Sequence, residues 1–237
     1  MTSPVEYRTE GDELAWITLD DGKANALGPA MQAAIREALD RARDEARVAI
    51  IRGRPGVFSG GFDLKVIAAG GEESMQMVLG GFELALRVAT QPRPVVMAST
   101  GHAVAMGAFL LLAGDFRIGS AGDFRIMANE VAIGMTMPHT ATALLRNRLT
   151  PAAFHRATLL AQPFDAPAAV AAGWVDEVVA PDALEDRARA LAEGLAALDR
   201  TAFSATRARA CGPFHDDLRA AIELDRGELE GRAAREG

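Results

Sequence analysis

The chain has 237 residues, ordinary apolar and charged fractions, a net charge of −7 and one cysteine, Cys211. That length is ample for a buried core. The acidic balance and scattered basic residues argue against nucleic acid or an anionic membrane surface as partner, and a lone cysteine excludes an intrachain disulfide and suits a reducing, cytoplasmic setting.

The N-terminal MTSPVEYRTEGDELAW is polar and acidic, unlike a signal peptide. From VEYRTE to WITLDD the pattern predicts two strands joined at the turn EGDE, followed by the loop DDGKANALG. Between Pro29 and Ala46, Met31, Ile35, Leu39 and Ala42 recur at helical spacing. VAIIRG reads as a buried strand and RPGVFSGG as a glycine-rich loop. Helical patterning runs from about Leu64 to Ala89, interrupted at Gly70 and Gly71. PRPVVMAS reads as a second buried strand, leaving into a turn at Ser99 to Gly101. The apolar run from His102 to Asp115 is too short for a membrane span and reads as a core helix. DFRIGSAGDFRI suggests a hairpin turning at Ser120 to Gly122.

Beyond Pro138 helices dominate. Thr150 and Pro151 supply an N-cap and a first helical position; FDAPAAVAAG repeats that logic and stops at Gly173. WVDEVV is a strand, and amphipathic helix follows from Pro181, with Leu184, Ala188, Leu191 and Leu195 as its stripe. The expectation is an α/β core over residues 1–180 with a helical region over 181–237.

The four histidines, His102, His139, His155 and His215, are dispersed without ligand spacing, so no metal site is expected. FSGGFD lacks the lysine and hydroxyl of a phosphate loop. Two features carry chemistry. In Phe58–Asp63 paired glycines leave a strand and enter a helix; they form either a tight turn or a place where backbone amides point outward. The apolar helix bracketed by Gly101 and Gly107 has first-turn amides without intrahelical acceptors, which protein, water or a ligand oxygen must satisfy. Two such amide sources, each at the end of a buried strand, could together form an oxyanion hole.

FSGGFDLK, GHAVAMGAFLLLAGD, NEVAIGMTMP and AAVAAGWVDEVVAP occur in the order and spacing of the crotonase (enoyl-CoA hydratase/isomerase) superfamily, which the chain resembles up to about residue 210. The resemblance implies a spiral core of repeated β-β-α units with perpendicular sheets. It implies a helical C-terminal part used in homo-trimer or homo-hexamer assembly. The implied substrate is an acyl-CoA thioester, with no other cofactor, and the shared chemistry is stabilisation of a thioester enolate by two backbone amides. On this chain those amides belong to Phe62 and Met106. The CoA moiety would lie along Lys23, Ala24, Asn25 and Ala26, with Gly60, Leu64 and Lys65 opposite. Lys23 and Lys65 either meet phosphate groups or are solvated loop lysines.

Hydratases of this superfamily carry two glutamates. At one of the positions this chain has Phe109; at the other it has Glu130, between apolar flanks. A single acid there is the arrangement of the Δ3,Δ2-enoyl-CoA isomerases, whose one base moves a proton from C2 to C4. Phe109 and Pro138 would line the acyl pocket. Desolvation should raise the Glu130 pKa. The competing readings are a hydratase using Glu130 alone or an acid from elsewhere, such as Asp63 or Glu83, and a catalytically silent acyl-CoA-binding protein.

Overall fold

The structure is a computed structural model and describes residues 3–236. Strands β1 (Val5–Glu10) and β2 (Leu14–Leu19) form the expected antiparallel pair, and helix α1 (Pro29–Glu45) buries Met31, Ile35, Leu39 and Ala42. The chain then makes three similar turns. Strand β3 (Val48–Arg52) is followed by β4 (Gly56–Ser59) and helices α2 (Leu64–Ala69) and α3 (Gly71–Ala89). Strand β5 (Val95–Ser99) is followed by β6 (Gly101–Val104) and helix α4 (Met106–Leu112). Strand β7 (Phe116–Ser120) is followed by β8 (Ile126–Met127), a 3-10 turn at Val131–Ile133 and helix α5 (His139–Arg148).

In each turn the first strand joins one sheet and the second joins another. The larger sheet has the order β1-β2-β3-β5-β7-β9, where β9 is Glu177–Val179; the smaller has the order β4-β6-β8. All pairs except β1·β2 are parallel. This is the repeated β-β-α spiral of the crotonase fold.

Three expectations are corrected. The stretch RPGVFSGG is not wholly loop, because Gly56–Ser59 is strand β4, paired with β6. The apolar run is not all helix: its start pairs as β6 and the helix covers only Met106–Leu112. DFRIGSAGDFRI is not a hairpin, because β7 pairs with β5 and β9 while β8 crosses to β6 in the other sheet. In each case the deciding force is pairing with a strand distant in sequence.

Alternation along the large sheet sorts its side chains into two cores. Ala15, Ile17, Ala49, Ile51, Val95 and Met97 belong to the main core with residues of α1, α3 and α4. Leu14, Trp16, Val48, Ile50, Val96 and Ala98 form the second, covered by helix α8 (Leu184–Ala196) through Leu184, Ala188, Ala192 and Ala196. The α8 stripe is thus committed to its own sheet.

The C-terminal helices tie back by buried polar contacts. From helix α9 (Arg200–Ala210), the buried Arg207 guanidinium bonds the Gln91 carbonyl and pairs with Asp115. From helix α10 (Gly212–Glu236), the buried Asp225 carboxylate accepts from the His139 and Thr140 amides, both at 2.8 Å, and so caps α5. Helices α6 (Pro151–Leu160) and α7 (Ala166–Ala172) carry the expected caps, Thr150 and Asp165, and α7 ends at Gly173 in the left-handed conformation.

Candidate active site

The site begins where β4 and β6 leave the small sheet side by side. Ser59 is paired in register with Ala103. Three residues beyond Ser59 lies Phe62, and three beyond Ala103 lies Met106. Each is preceded by a residue with positive φ: Gly61 at 94° and Ala105 at 49°. For glycine that conformation is free; for Ala105 it is strained and must be held by its surroundings. The Ala105 amide donates to the Met127 carbonyl at 3.0 Å, and its own carbonyl accepts from Phe109 at 3.0 Å. Among the described residues neither the Phe62 nor the Met106 amide has an acceptor. The structure therefore brings together the two predicted amides, unpaired, on adjacent loops.

The Phe62 side chain is half-buried. Its ring packs edge-on against Phe82, at 6.1 Å between centroids, and sits over Gly81 where a Cβ would meet it at 2.5 Å.

The loop from Asp21 to Gly28 closes against the loop after β4. The Gly60 amide donates to the Ala24 carbonyl and the Leu27 amide to the Gly61 carbonyl, both at 2.8 Å. The fully buried Asn25 donates from Nδ2 to the Leu19 and Phe58 carbonyls, at 2.9 and 3.1 Å. Burial alone would raise the Asp21 pKa, but accepting from the Ala26, Asn25 and Lys23 amides beside Arg54 outweighs it and holds the carboxyl below its usual value. Lys23, Ala24, Gly60, Leu64 and Lys65 are all exposed along this seam.

Glu130 is 5% exposed, and its Oε2 has no hydrogen-bond partner among the described residues; the Oδ1 of Asn129 is likewise unpartnered. Burial pushes the Glu130 carboxyl up to about 7. Its position follows from β8: Met127 holds Ala105, and three residues of chain, at most roughly 11 Å, carry on to Glu130. The 3-10 turn at Val131–Ile133 and left-handed Gly134 follow directly. The flanks of Glu130 are apolar as read, yet Val131, Ile133 and Met135 are exposed while the acid itself is buried.

Phe109 is 1% exposed, on the first turn of α4 after Met106. Pro138 is half-buried at the N-cap of α5. The other acids weighed for a hydratase are occupied: the Asp63 carboxylate caps α2 by accepting from the Lys65 amide, and Glu83 pairs with Arg226 at 3.0 Å in an exposed position. Among the described residues no cluster of His, Cys, Asp and Glu could hold a metal ion, and no helix is long and apolar enough to cross a membrane. A half-open pocket of about 350 Å³ lies elsewhere, at the α8 face of the large sheet between Trp16, Arg52, Thr100 and Leu184, and takes in none of the expected site residues.

Sequence reasoning missed Ser59. Its hydroxyl donates to the Asn25 carbonyl at 2.7 Å and accepts from the Gly61 amide at 3.2 Å. A serine beside two glycines gives no signal of that kind until the two loops are seen together.

The spiral fold, with two free amides and one buried acid, defines a crotonase-type enzyme. The sequence model of the enoyl-CoA hydratase/isomerase family matches residues 9–235, and the chain belongs to that family. A carnitinyl-CoA dehydratase from Citrobacter koseri is 34% identical over 198 residues, covering 82% of this chain and 75% of the relative. Two structures of one Mycobacterium tuberculosis protein are each 46% identical to this chain over 96% of its length. One, named an enoyl-CoA isomerase, superposes with a TM-score of 0.91 over 100% of its length. The other, named a probable enoyl-CoA hydratase, gives 0.92 over 96% of its length.

Proposed function

We propose that the protein is a Δ3,Δ2-enoyl-CoA isomerase in which Glu130 is the single acid/base. The observation that carries this reading is one buried carboxylate whose Oε2 has no partner among the described residues, with a phenylalanine at the other expected acid position. A carboxyl near pKa 7 accepts and returns a proton at neutral pH. The reaction starts with a 3-enoyl-CoA whose thioester oxygen accepts from the Phe62 and Met106 amides. Glu130 removes a C2 proton, and the electrons pass into the thioester carbonyl as a dienolate. The two amides stabilise that charge where it develops. Reprotonation at C4 by the same carboxyl gives the 2-trans-enoyl-CoA and restores Glu130. No water enters the balance, and the buried ring of Phe109 favours a dry acyl pocket.

The CoA moiety is assigned to the seam of Lys23, Ala24, Gly60, Leu64 and Lys65, whose exposure leaves it open to a ligand. Pro138, with Phe109, is assigned to the acyl pocket. Assembly into trimers, alone or stacked as hexamers, is supported by exposed Val131, Ile133 and Met135 beside exposed Leu159 and Leu160 on α6, which contacts that turn.

Hydration stands as the second reading, because the family includes it and the M. tuberculosis relative is described once as an isomerase and once as a probable hydratase. Glu130→Gln separates both from a silent binder. The variant should bind acyl-CoA by calorimetry as the parent does and show no turnover. Unchanged turnover would remove Glu130 from the mechanism.

A further inference from the structure

We propose that Ser59 is a positioning residue that sets both amides of the oxyanion hole at once. The inference rests on the reading that Phe62 and Met106 hold the thioester oxygen. Ser59 is fully buried. Its single hydroxyl proton goes to the Asn25 carbonyl at 2.7 Å, which fixes the rotamer and points the oxygen lone pairs back toward its own loop. There they accept from the Gly61 amide at 3.2 Å, one residue before Phe62. This bond holds the Gly60–Gly61 peptide, the one before the peptide that carries the first oxyanion donor, whose Gly61 carbonyl accepts from the Leu27 amide at 2.8 Å.

The second donor meets the same side chain from the other side. A Cβ on Gly107, the residue after Met106, would lie 2.8 Å from the Ser59 Oγ, 2.7 Å from its Cβ and 2.5 Å from its carbonyl oxygen. The first turn of α4 therefore rests directly on Ser59, with no room for even a methyl group between them. Ser59 also pairs with Ala103, which starts the three-residue path to Met106. One side chain is thus wedged between the peptide before one amide and the residue after the other. Removing its oxygen frees the Gly61 amide and the Asn25 carbonyl together and loosens the contact that sets the spacing of the two donors.

A role in positioning makes a different prediction from a role in packing. Substrate binding draws on the long CoA seam, whereas the enolate depends on where two amides point. Ser59→Ala should lower kcat by ~10- to 100-fold, as expected for misplaced donors, and leave KM for a 3-enoyl-CoA within about threefold. A 3-oxoacyl-CoA supplies a spectroscopic readout, because its bound enolate absorbs in the near ultraviolet. The parent should show that band and Ser59→Ala should show much less of it at saturating ligand. Both are measured well below the melting midpoint, so a packing role alone would leave them unchanged. Ser59→Cys fills nearly the same space with a weak acceptor and should fall between the two; it carries the test if the alanine variant does not fold. Parental kcat and enolate band in these variants would overturn the role of Ser59. A parent protein that neither turns over enoyl-CoA nor forms the band would instead remove the oxyanion-hole reading beneath it.

Discussion

Gly61 and Ala105 stand back to back: a Cβ on Gly61 would lie 3.1 Å from the Ala105 Cβ and 3.5 Å from the Met106 amide nitrogen. The two residues whose positive φ precedes each free amide are therefore in contact. In the proposed mechanism that closeness sets where the Phe62 and Met106 donors point relative to one another. Gly61→Ala should test this. The new methyl would crowd the Val104 carbonyl at 3.0 Å in a backbone conformation of φ 94°. We expect a loss of about 1–3 kcal/mol in urea unfolding and a larger fall in kcat than in acyl-CoA affinity. Parental kcat in a stable variant would show that the two loops need not touch.

Glu130 gives a pH signature in rate. Its carboxyl must be ionised to take a proton, and burial holds its pKa at about 7. The isomerisation kcat/KM should rise with pH through that value and level off above it. A profile flat between about pH 5 and 9 would contradict the assignment.

The same group gives a signature in stability, with a definite sign. The folded pKa, about 7, lies above the ordinary 4.5, so between these values the folded state binds the extra proton. Stability from this group is then lost as pH rises from 4.5 toward 7. Glu130→Gln cannot ionise and should escape that loss. At alkaline pH the variant should exceed the parent by up to roughly 3 kcal/mol, and in acid the two should converge. Melting curves across the range check this; a variant less stable at alkaline pH would show that the carboxylate has partners.

Assembly should depend on the exposed apolar turn after Glu130. Ile133→Glu should convert a trimer to monomers by light scattering at micromolar concentration, while the circular dichroism spectrum stays that of the parent. A parent protein that is itself monomeric would remove the assembly proposal.

Much of this architecture was legible in the sequence, for local reasons. The Thr150 and Asp165 caps, the break before Gly71 and the spacing of Met31 to Ala42 act within a few residues of themselves. The small sheet was not legible. Strand β4 carries a glycine and follows Arg-Pro, which signals a turn, and β8 has two residues. Such strands depend on β6 lying between them, and β8 also on its bridge from Ile126 to Phe164. Strand β6 reads as part of the apolar run because its four residues, with only His102 exposed, are too few to show a period of two. For the site, the motif order pointed to Phe62, Met106 and Glu130, but the isolation of the Glu130 carboxylate and the wedge at Ser59 depend on contacts between loops.

The role proposed for Phe109 is to keep water from the acyl pocket. Phe109→Glu would place a second acid one turn into α4, where the present ring is 1% exposed. Burying a carboxyl there should lower the melting midpoint. If the fold holds, hydration of a 2-trans-enoyl-CoA should increase, because the missing water-holding acid is restored. An unchanged hydration rate in a folded variant would show that Phe109 does not face the reacting carbons.

The most direct test of the central claim is a comparison of two rates in the unmodified protein. A 3-enoyl-CoA and a 2-trans-enoyl-CoA of equal chain length are supplied separately, and isomerisation and hydration are followed under the same conditions. A second acid contributes ~100- to 10,000-fold where a reaction needs it, and only hydration needs it. The account predicts that isomerisation is the faster of the two by a wide margin. Rapid hydration with no detectable isomerisation would contradict it and make the protein a hydratase.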